Sequence, residues 1–405
     1  MIVQLLINNN TTPATQFVSW APAPCRIRMT NSAGAIPPAV SIRLSSASAP
    51  GGGAVGFRTG TTGPFTSTLI LMVPTNGASV PFFTAGTVAS SNFGDVRIEA
   101  RAGATVVGSA PCMVRIRKNA NTLKPPEKTR FIAAYAQLNN QGLGRFADFR
   151  EMHRTGLALN QAHGAPGFLP WHRAYLLDLE RELQAIDASV ALPYWRFDQA
   201  APNIFQLNFM GVSDNLGTVS FANNNPLQFW KTDGQTGVNR RPFFNTALAP
   251  PGLRTEAQTL ALGTMYSQFR IMEGNPHGSA HSSFGGFISS TNTAPRDPLF
   301  FLLHCNVDRL WAKWQRLNSR FNSTVVNSFN NNMASPIGHR LADTMWPWNG
   351  VTGGTRPPNA PGGPLAPSPI VPAPGPSPRV QDMLDYHGVI SAASNEGFDY
   401  DDVPL

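Results

Sequence analysis

Over the first 120 residues, short runs of apolar and alternating residues are separated by clusters of Gly, Ser, Asn and Pro. Val3–Ile7, Arg26–Met29, Val40–Leu44, Ser67–Met72, Val80–Phe83, Val96–Ala100 and Met113–Arg117 read as strands. About seven short strands at this spacing, with no helical period, predict an all-β sandwich over residues 1–120. At Lys124-Pro125-Pro126-Glu127 the period changes. Helical spacing covers Glu127–Asn139, Leu143–Arg154, Trp171–Ile186, Glu256–Phe269, the neighbourhood of His277–His281, and Pro298–Leu317. Asp297 is a favourable N-cap for the last of these, with Pro298 at its first turn. The Asn/Gly/Pro-rich stretch from Ala200 to Thr255 reads as long surface loops. The fold class expected is therefore mainly α: a helical-bundle domain with long loops over residues 121–349, preceded by the all-β sandwich. Ten prolines and six glycines between Gly350 and Arg379 predict an extended strap over 350–379. Residues 380–405 form a C-terminal segment expected to pack back on the helical domain.

Hydrophobic residues make up 42% of the chain, ample for a large core, and no apolar run reaches membrane-spanning length. The start, Met1-Ile-Val-Gln-Leu-Leu-Ile-Asn, has no basic region before its apolar stretch, which predicts a first strand and a cytoplasmic protein. The net charge of +8 is uneven. Residues 1–120 hold nine Lys/Arg against two acids, Asp95 and Glu99. Arginines alternate with apolar residues in Arg26-Ile27-Arg28 and Arg115-Ile116-Arg117, and strand geometry puts alternate residues on one face. An Arg-striped surface follows, either a solvated sheet face or a dock for an acidic partner. Nucleic acid is not the expected partner. Cys25 and Cys112 pair only if their strands face each other; a reducing compartment keeps them as thiols.

All eight histidines lie at or beyond residue 153. Six form two groups: His153, His163 and His172, then His277, His281 and His304. His277 and His281, four apart, project from one face of a helix. Zinc-protease chemistry needs His-Glu-x-x-His, but Gly278-Ser279-Ala280 lies between these two. Six neutral imidazoles with neither Cys nor carboxylate suit copper. His339 and His387 read as structural.

The segment His163-Gly-Ala-Pro-Gly-Phe168-Leu-Pro-Trp171-His172-Arg173 resembles the first copper signature of tyrosinases and polyphenol oxidases. Asp297-Pro298-Leu-Phe300-Phe301-Leu-Leu-His304-Cys-Asn-Val-Asp308-Arg309 resembles the second. The resemblance covers about Pro126 to Pro347 and a Phe-x-Tyr segment near the end, but not the β domain. It implies two copper ions, with His153, His163 and His172 on copper A and His277, His281 and His304 on copper B. It further implies O2 as co-substrate and a small phenolic substrate oxidised to an o-quinone. Glu273 matches an acid that holds a water near the coppers, and Phe168 and Trp171 would wall the site. Phe300 and Phe301 read as packing residues.

Departures from the family pattern sharpen the expectation. Gln161 stands where plant and fungal relatives carry a cross-linked cysteine, so no thioether is expected. Gly278 replaces the Asn common in strong monophenol hydroxylases, which implies diphenol oxidation above monophenol hydroxylation. The place of a bulky gate falls near Thr291, implying an open mouth. An O2 carrier on the same dicopper site, and an oxidase of a peptide-borne tyrosine or an o-aminophenol, are the alternatives. With no histidine and two acids, the β domain is expected to be dispensable for copper binding when cut before about Lys118.

Overall fold

The computed structural model describes residues 1–11, 14–31, 38–154, 156–349 and 364–403. The chain divides into two compact units. The first comprises Met1–Ile116 with Ser368–Ala373 and Asn395–Leu405; the second comprises Arg117–Pro367 with Pro374–Ser394. The division thus falls at Ile116/Arg117, ahead of the proline pair at residues 125–126. Residues 350–363 of the expected strap lie outside the described residues.

The first unit contains β1 (Ile2–Leu6), β2 (Gln16–Val18), β3 (Ala23–Asn31), β4 (Ala39–Ser48) and β5 (Ala54–Arg58). It continues with β6 (Thr68–Pro74), β7 (Val80–Val88), β8 (Val96–Ala102) and β9 (Thr105–Val114). These form a four-stranded sheet ordered β1-β3-β7-β5 and a five-stranded sheet ordered β2-β9-β8-β4-β6. Inward residues of both sheets share one core, including Cys25, Ile27 and Phe82 from one and Ile42, Ile98 and Cys112 from the other. Apolar residues alternate inward while Arg26, Arg28, Arg43 and Arg97 face solvent. The stripe ends there. β9 stops at Val114, and both Arg115 and Arg117, expected on the surface, are buried. The Arg115 guanidinium lies over the Phe17 ring, 4.6 Å from its centre, within reach of a cation–π attraction.

Two strands escape sequence reading, and most of β9 does too, because the expected strand Met113–Arg117 overlaps it only at Met113 and Val114. β2 is only three residues long, and β5 follows directly on Gly51–Gly53 and contains Gly56. A Cβ at Gly56 would stand 2.8 Å from Cβ of Phe65, so this glycine serves close backbone approach rather than a turn. The C-terminal end also departs from expectation, because residues 395–405 belong with the β unit. The N–H groups of Trp20 and Ala21 donate to Oδ2 of Asp399 at 2.9 and 3.2 Å, and Trp20 Nε1 donates to the Tyr400 carbonyl at 2.8 Å. Trp20 and Ala21 lie between strands, and the tail supplies the acceptors their backbone lacks. All three cysteines are buried thiols outside any disulfide. Burial pushes the Cys25 thiol up to about 12 and raises that of Cys112 as well.

The second unit carries α1 (Pro125–Asn139), α2 (Phe146–Arg154), α3 (Gly156–Ala162) and α4 (Phe168–Ile186). Further on come α5 (Glu256–Leu260), α6 (Tyr266–Phe269), α7 (Ser279–Ser282) and α8 (Leu299–Asn318). The single helix expected over Glu256–Phe269 is thus two short ones. They break at Gly263, whose φ of +141° no helix accommodates. Helices α4 and α8 are buried along most of their length and pack on each other. Asp297, just before α8, accepts the Leu299 N–H at 2.9 Å and is held by Arg240 through two bonds of 2.7 and 2.5 Å.

A buried charge network joins α4 to α8. Arg173 of α4 donates to Asp308 of α8 at 2.6 Å, and Arg117 donates to Asp308 at 3.2 Å and to Glu180 at 2.7 Å. Arg117 has no exposed surface and belongs to the helical unit, although it follows β9 directly in sequence. A cut before Lys118 would therefore remove a buried cation that pairs with both Glu180 and Asp308. Arg117→Met should lower stability by about 3–5 kcal/mol, the cost of breaking a buried pair from one side. Chemical denaturation of the full chain measures it.

Candidate metal centre

Each of the six histidines is delivered by a different piece of local structure. His153 lies in the last turn of α2, His163 in the connection between α3 and α4, and His172 in the second turn of α4. His277 sits in the wide turn Gly274–Gly278, His281 in α7, and His304 in the second turn of α8. The chain brings them together as two triads, His153/His163/His172 and His277/His281/His304. Within each triad the candidate ligand atoms lie within 4.8 Å of one another. The triads abut: the rings of His172 and His304 stack with centroids 4.3 Å apart.

Backbone carbonyls set the orientation of four of these rings. Nδ1 of His163, His172 and His277 faces the carbonyl four residues earlier (Leu159, Phe168 and Glu273) at 3.3, 2.9 and 2.7 Å. Nδ1 of His281 meets the Ile288 carbonyl at 2.7 Å. A carbonyl only accepts, so Nδ1 carries the proton and Nε2 presents a lone pair. Nε2 of His153, His172 and His277 is buried with no hydrogen-bond partner, and Nε2 of His281 lies 3.1 Å from Nε2 of His304. Converging lone pairs in a buried site repel one another and lack the donors that buried acceptors require. A cation at the centre of each triad satisfies both needs.

The electrostatics point the same way. Burial lowers the pKa of all six imidazoles, and neighbouring histidines lower most of them further. His163 and His281 fall to about 4, so both stay neutral at physiological pH. Neutral nitrogen donors without thiolate or carboxylate fit two copper ions, which the triads would hold through three imidazoles each.

A cavity of about 180 Å³ opens beside the triads, lined by His153, His163, His277, His281 and His304 with Gly278, Ser289, Thr291, Ala294 and Phe300. Ser289 and Thr291 are exposed and mark its mouth. Of the pocket residues expected from sequence, Gly278 and Thr291 line this cavity, whereas Phe168 does not. Phe168 is fully buried, its ring centroid 4.9 Å from those of both His172 and His277, where it wedges two ligand rings. Phe300, expected only to pack, lines the cavity 4.2 Å from the His304 ring centroid. The signal for it is its position four residues before His304, on the same helix face. Glu273 stands outside the lining residues. Its carboxylate accepts the Gly164 N–H at 2.5 Å and meets Arg270 at 3.3 Å. Burial raises its pKa against the opposing pull of these two partners.

Comparison with known proteins gives this geometry a family. Residues 143–317 match the common central domain of tyrosinase. The tyrosinase of Streptomyces glaucescens is 34% identical over 266 residues, spanning 58% of this chain and 92% of that protein. Grixazone synthase of Streptomyces griseus subsp. griseus is 29% identical over 50% of this chain and 85% of its own length. A hemocyanin of Enteroctopus dofleini is 29% identical over 53% of this chain and 8% of its own length. The β unit lies outside the matched residues, which contain all six ligand histidines. With a bacterial tyrosinase aligned over nine-tenths of its length, and two histidine triads placed to hold one metal ion each, the chain belongs to the tyrosinase family of dicopper proteins.

Proposed function

We propose that this protein oxidises catechols, and more slowly monophenols, to o-quinones with O2 as the electron acceptor. The observation that carries this reading is the cavity over the triads. Gly278, Ser289, Thr291 and Ala294 are small, and they leave room for a substituted aromatic ring beside the ligand histidines. The copper pair, when bound, supplies the activation of O2 and the transfer of electrons. Two catechols release four electrons and four protons, which reduce one O2 to two waters.

The chain's own residues do the rest. Phe300 and the ligand imidazoles offer ring faces and edges against which an aromatic substrate stacks. Neither carboxylate nor ammonium lines the cavity among the described residues, so a neutral ring is favoured there and charged substituents point outward past Ser289 and Thr291. Glu273 is our candidate for handling the phenolic proton, through water, because it stands beyond direct reach of the cavity. Its raised pKa suits a carboxylate that takes up and returns a proton. An O2 carrier built on the same centre would need phenols excluded, and the small side chains at the mouth argue against that. Mixing the copper-loaded protein with a simple catechol tests the choice. Quinone colour is expected, and reversible O2 uptake without turnover would refute the enzyme reading.

Two further outcomes follow. His172→Ala or His304→Ala removes one of three imidazoles from a triad, so copper content by elemental analysis should drop below two per chain and turnover should vanish. Gly278 has a helical backbone, and a Cβ there would meet only the Glu273 carbonyl, at 3.3 Å. Gly278→Asn should therefore fold and place an amide at the cavity wall. The ratio of monophenol to diphenol rates should rise about fivefold, the equivalent of one hydrogen bond of about 1 kcal/mol. An unchanged ratio in initial-rate assays would remove Gly278 from the specificity determinants.

A further inference from the structure

His163 differs from the other five ligands in lying on a loop rather than on a helix or helical turn. The bond from its Nδ1 to the Leu159 carbonyl is also the longest of the four that orient the ligand rings. Something else must hold this loop, and the structure supplies it from a distant stretch of chain. We propose that His339 is a positioning residue for the first copper site, clamping both ends of the loop that carries His163.

His339 is buried, and its ring spans the base of that loop. Its Nδ1 accepts the N–H of Gly167, the residue just before α4, at 3.0 Å. Nε2 therefore carries the proton and donates to the Asn160 carbonyl in α3 at 2.8 Å. One rigid ring thus fixes the separation of the loop's two ends. The fit tolerates no side chain at Gly167, whose Cβ would stand 2.6 Å from both His339 Nδ1 and the Gly338 carbonyl. Gly338, at a φ of +93°, is equally closed: its Cβ would lie 2.5 Å from the Gln161 side chain. The Asp343 carboxylate accepts the N–H groups of Gly338 and Arg340 at 2.8 and 3.2 Å, which pre-forms the turn presenting His339. Gln161 in turn accepts the Trp346 N–H at 2.9 Å, while the Trp346 carbonyl accepts Trp171 Nε1 of α4 at 2.7 Å. At the loop's tip, the Gly164 N–H is taken by Glu273.

His339 is not among the residues lining the cavity, and its two hydrogen bonds go to the two ends of the loop, so its effect on copper is exerted through the loop. The loop it clamps carries one ligand, His163 of the His153/His163/His172 triad. This inference rests on the dicopper centre and not on the proposed phenol oxidation, and its test needs no substrate. Chelator titration of the copper-loaded full chain, followed by elemental analysis and electron paramagnetic resonance, reads the two coppers apart. A coupled copper(II) pair is silent, whereas a lone copper(II) gives a signal. His339→Ala should release one copper at about tenfold lower chelator concentration, the lower end for loss of a ligand-supporting contact, with a lone-copper signal appearing. His339→Asn keeps an acceptor for Gly167 but cannot reach Asn160, so it should weaken the same copper by a smaller factor. Release of both coppers together, or retention of both as in the unmodified protein, would overturn the proposal. Should His339→Ala not fold, His339→Asn decides the matter by the same criterion.

Discussion

The helical unit answers above all to one demand: six neutral imidazoles must aim their lone pairs at two points in a largely buried site. No such cluster is stable by itself, because buried acceptors without donors are expensive and facing lone pairs repel. The chain meets the demand with main-chain carbonyls. For three ligands the acceptor is the carbonyl four residues earlier, and for His172 and His277 a turn of helical chain both delivers the ring and fixes its tautomer. Orientation thus comes from backbone, the least mutable part of the structure. The metals then complete an arrangement that the fold has already made.

Pointing six rings correctly also requires that the elements bearing them do not slide. Burying Arg117, Arg173, Glu180 and Asp308 between α4 and α8 is costly in desolvation, and apolar residues of similar volume would hold the helices together as well or better. A charge network, however, is satisfied in only one register. A shift of one helix past the other by a single turn would leave buried charges facing nothing. Asp308 lies one turn beyond His304 and Arg173 directly follows His172, so the register locked by the network is that of one ligand from each triad. Arg240 and Asp297 anchor the start of α8 in the same manner.

Much of this was legible in the sequence, and the failures have physical causes. The six histidines stood out as two groups along the chain, and the resemblance of the motifs around them to tyrosinase copper signatures assigned them to two coppers. The sandwich was legible from period-two alternation, except where strands were very short or contained glycine. Arg115 and Arg117 were misplaced because alternation says which residues share a face but not where the strand stops. The tail was misplaced because its anchors, Asp399 and Tyr400 on Trp20, join residues nearly four hundred positions apart. No local pattern announces such a contact. The clamp on the His163 loop was invisible for the same reason: a single histidine 176 positions further along the chain carries no periodic signal.

The burial of all three thiols acquires a meaning from the chemistry proposed for the site. o-Quinones are electrophiles that add thiolates fastest and primary amines next. A catalyst that releases them is the first protein its product meets. Here no cysteine is exposed, and those of the β unit are held far from the thiolate form. Of 31 basic residues only five are lysines, so the cationic surface is built almost wholly from guanidinium groups, which stay protonated and are poor nucleophiles. Two of those five, Lys118 and Lys313, are committed to ion pairs with Glu127 and Glu256. The composition of the chain thus makes it a poor target for self-arylation, a form of durability that no measure of folding free energy would register.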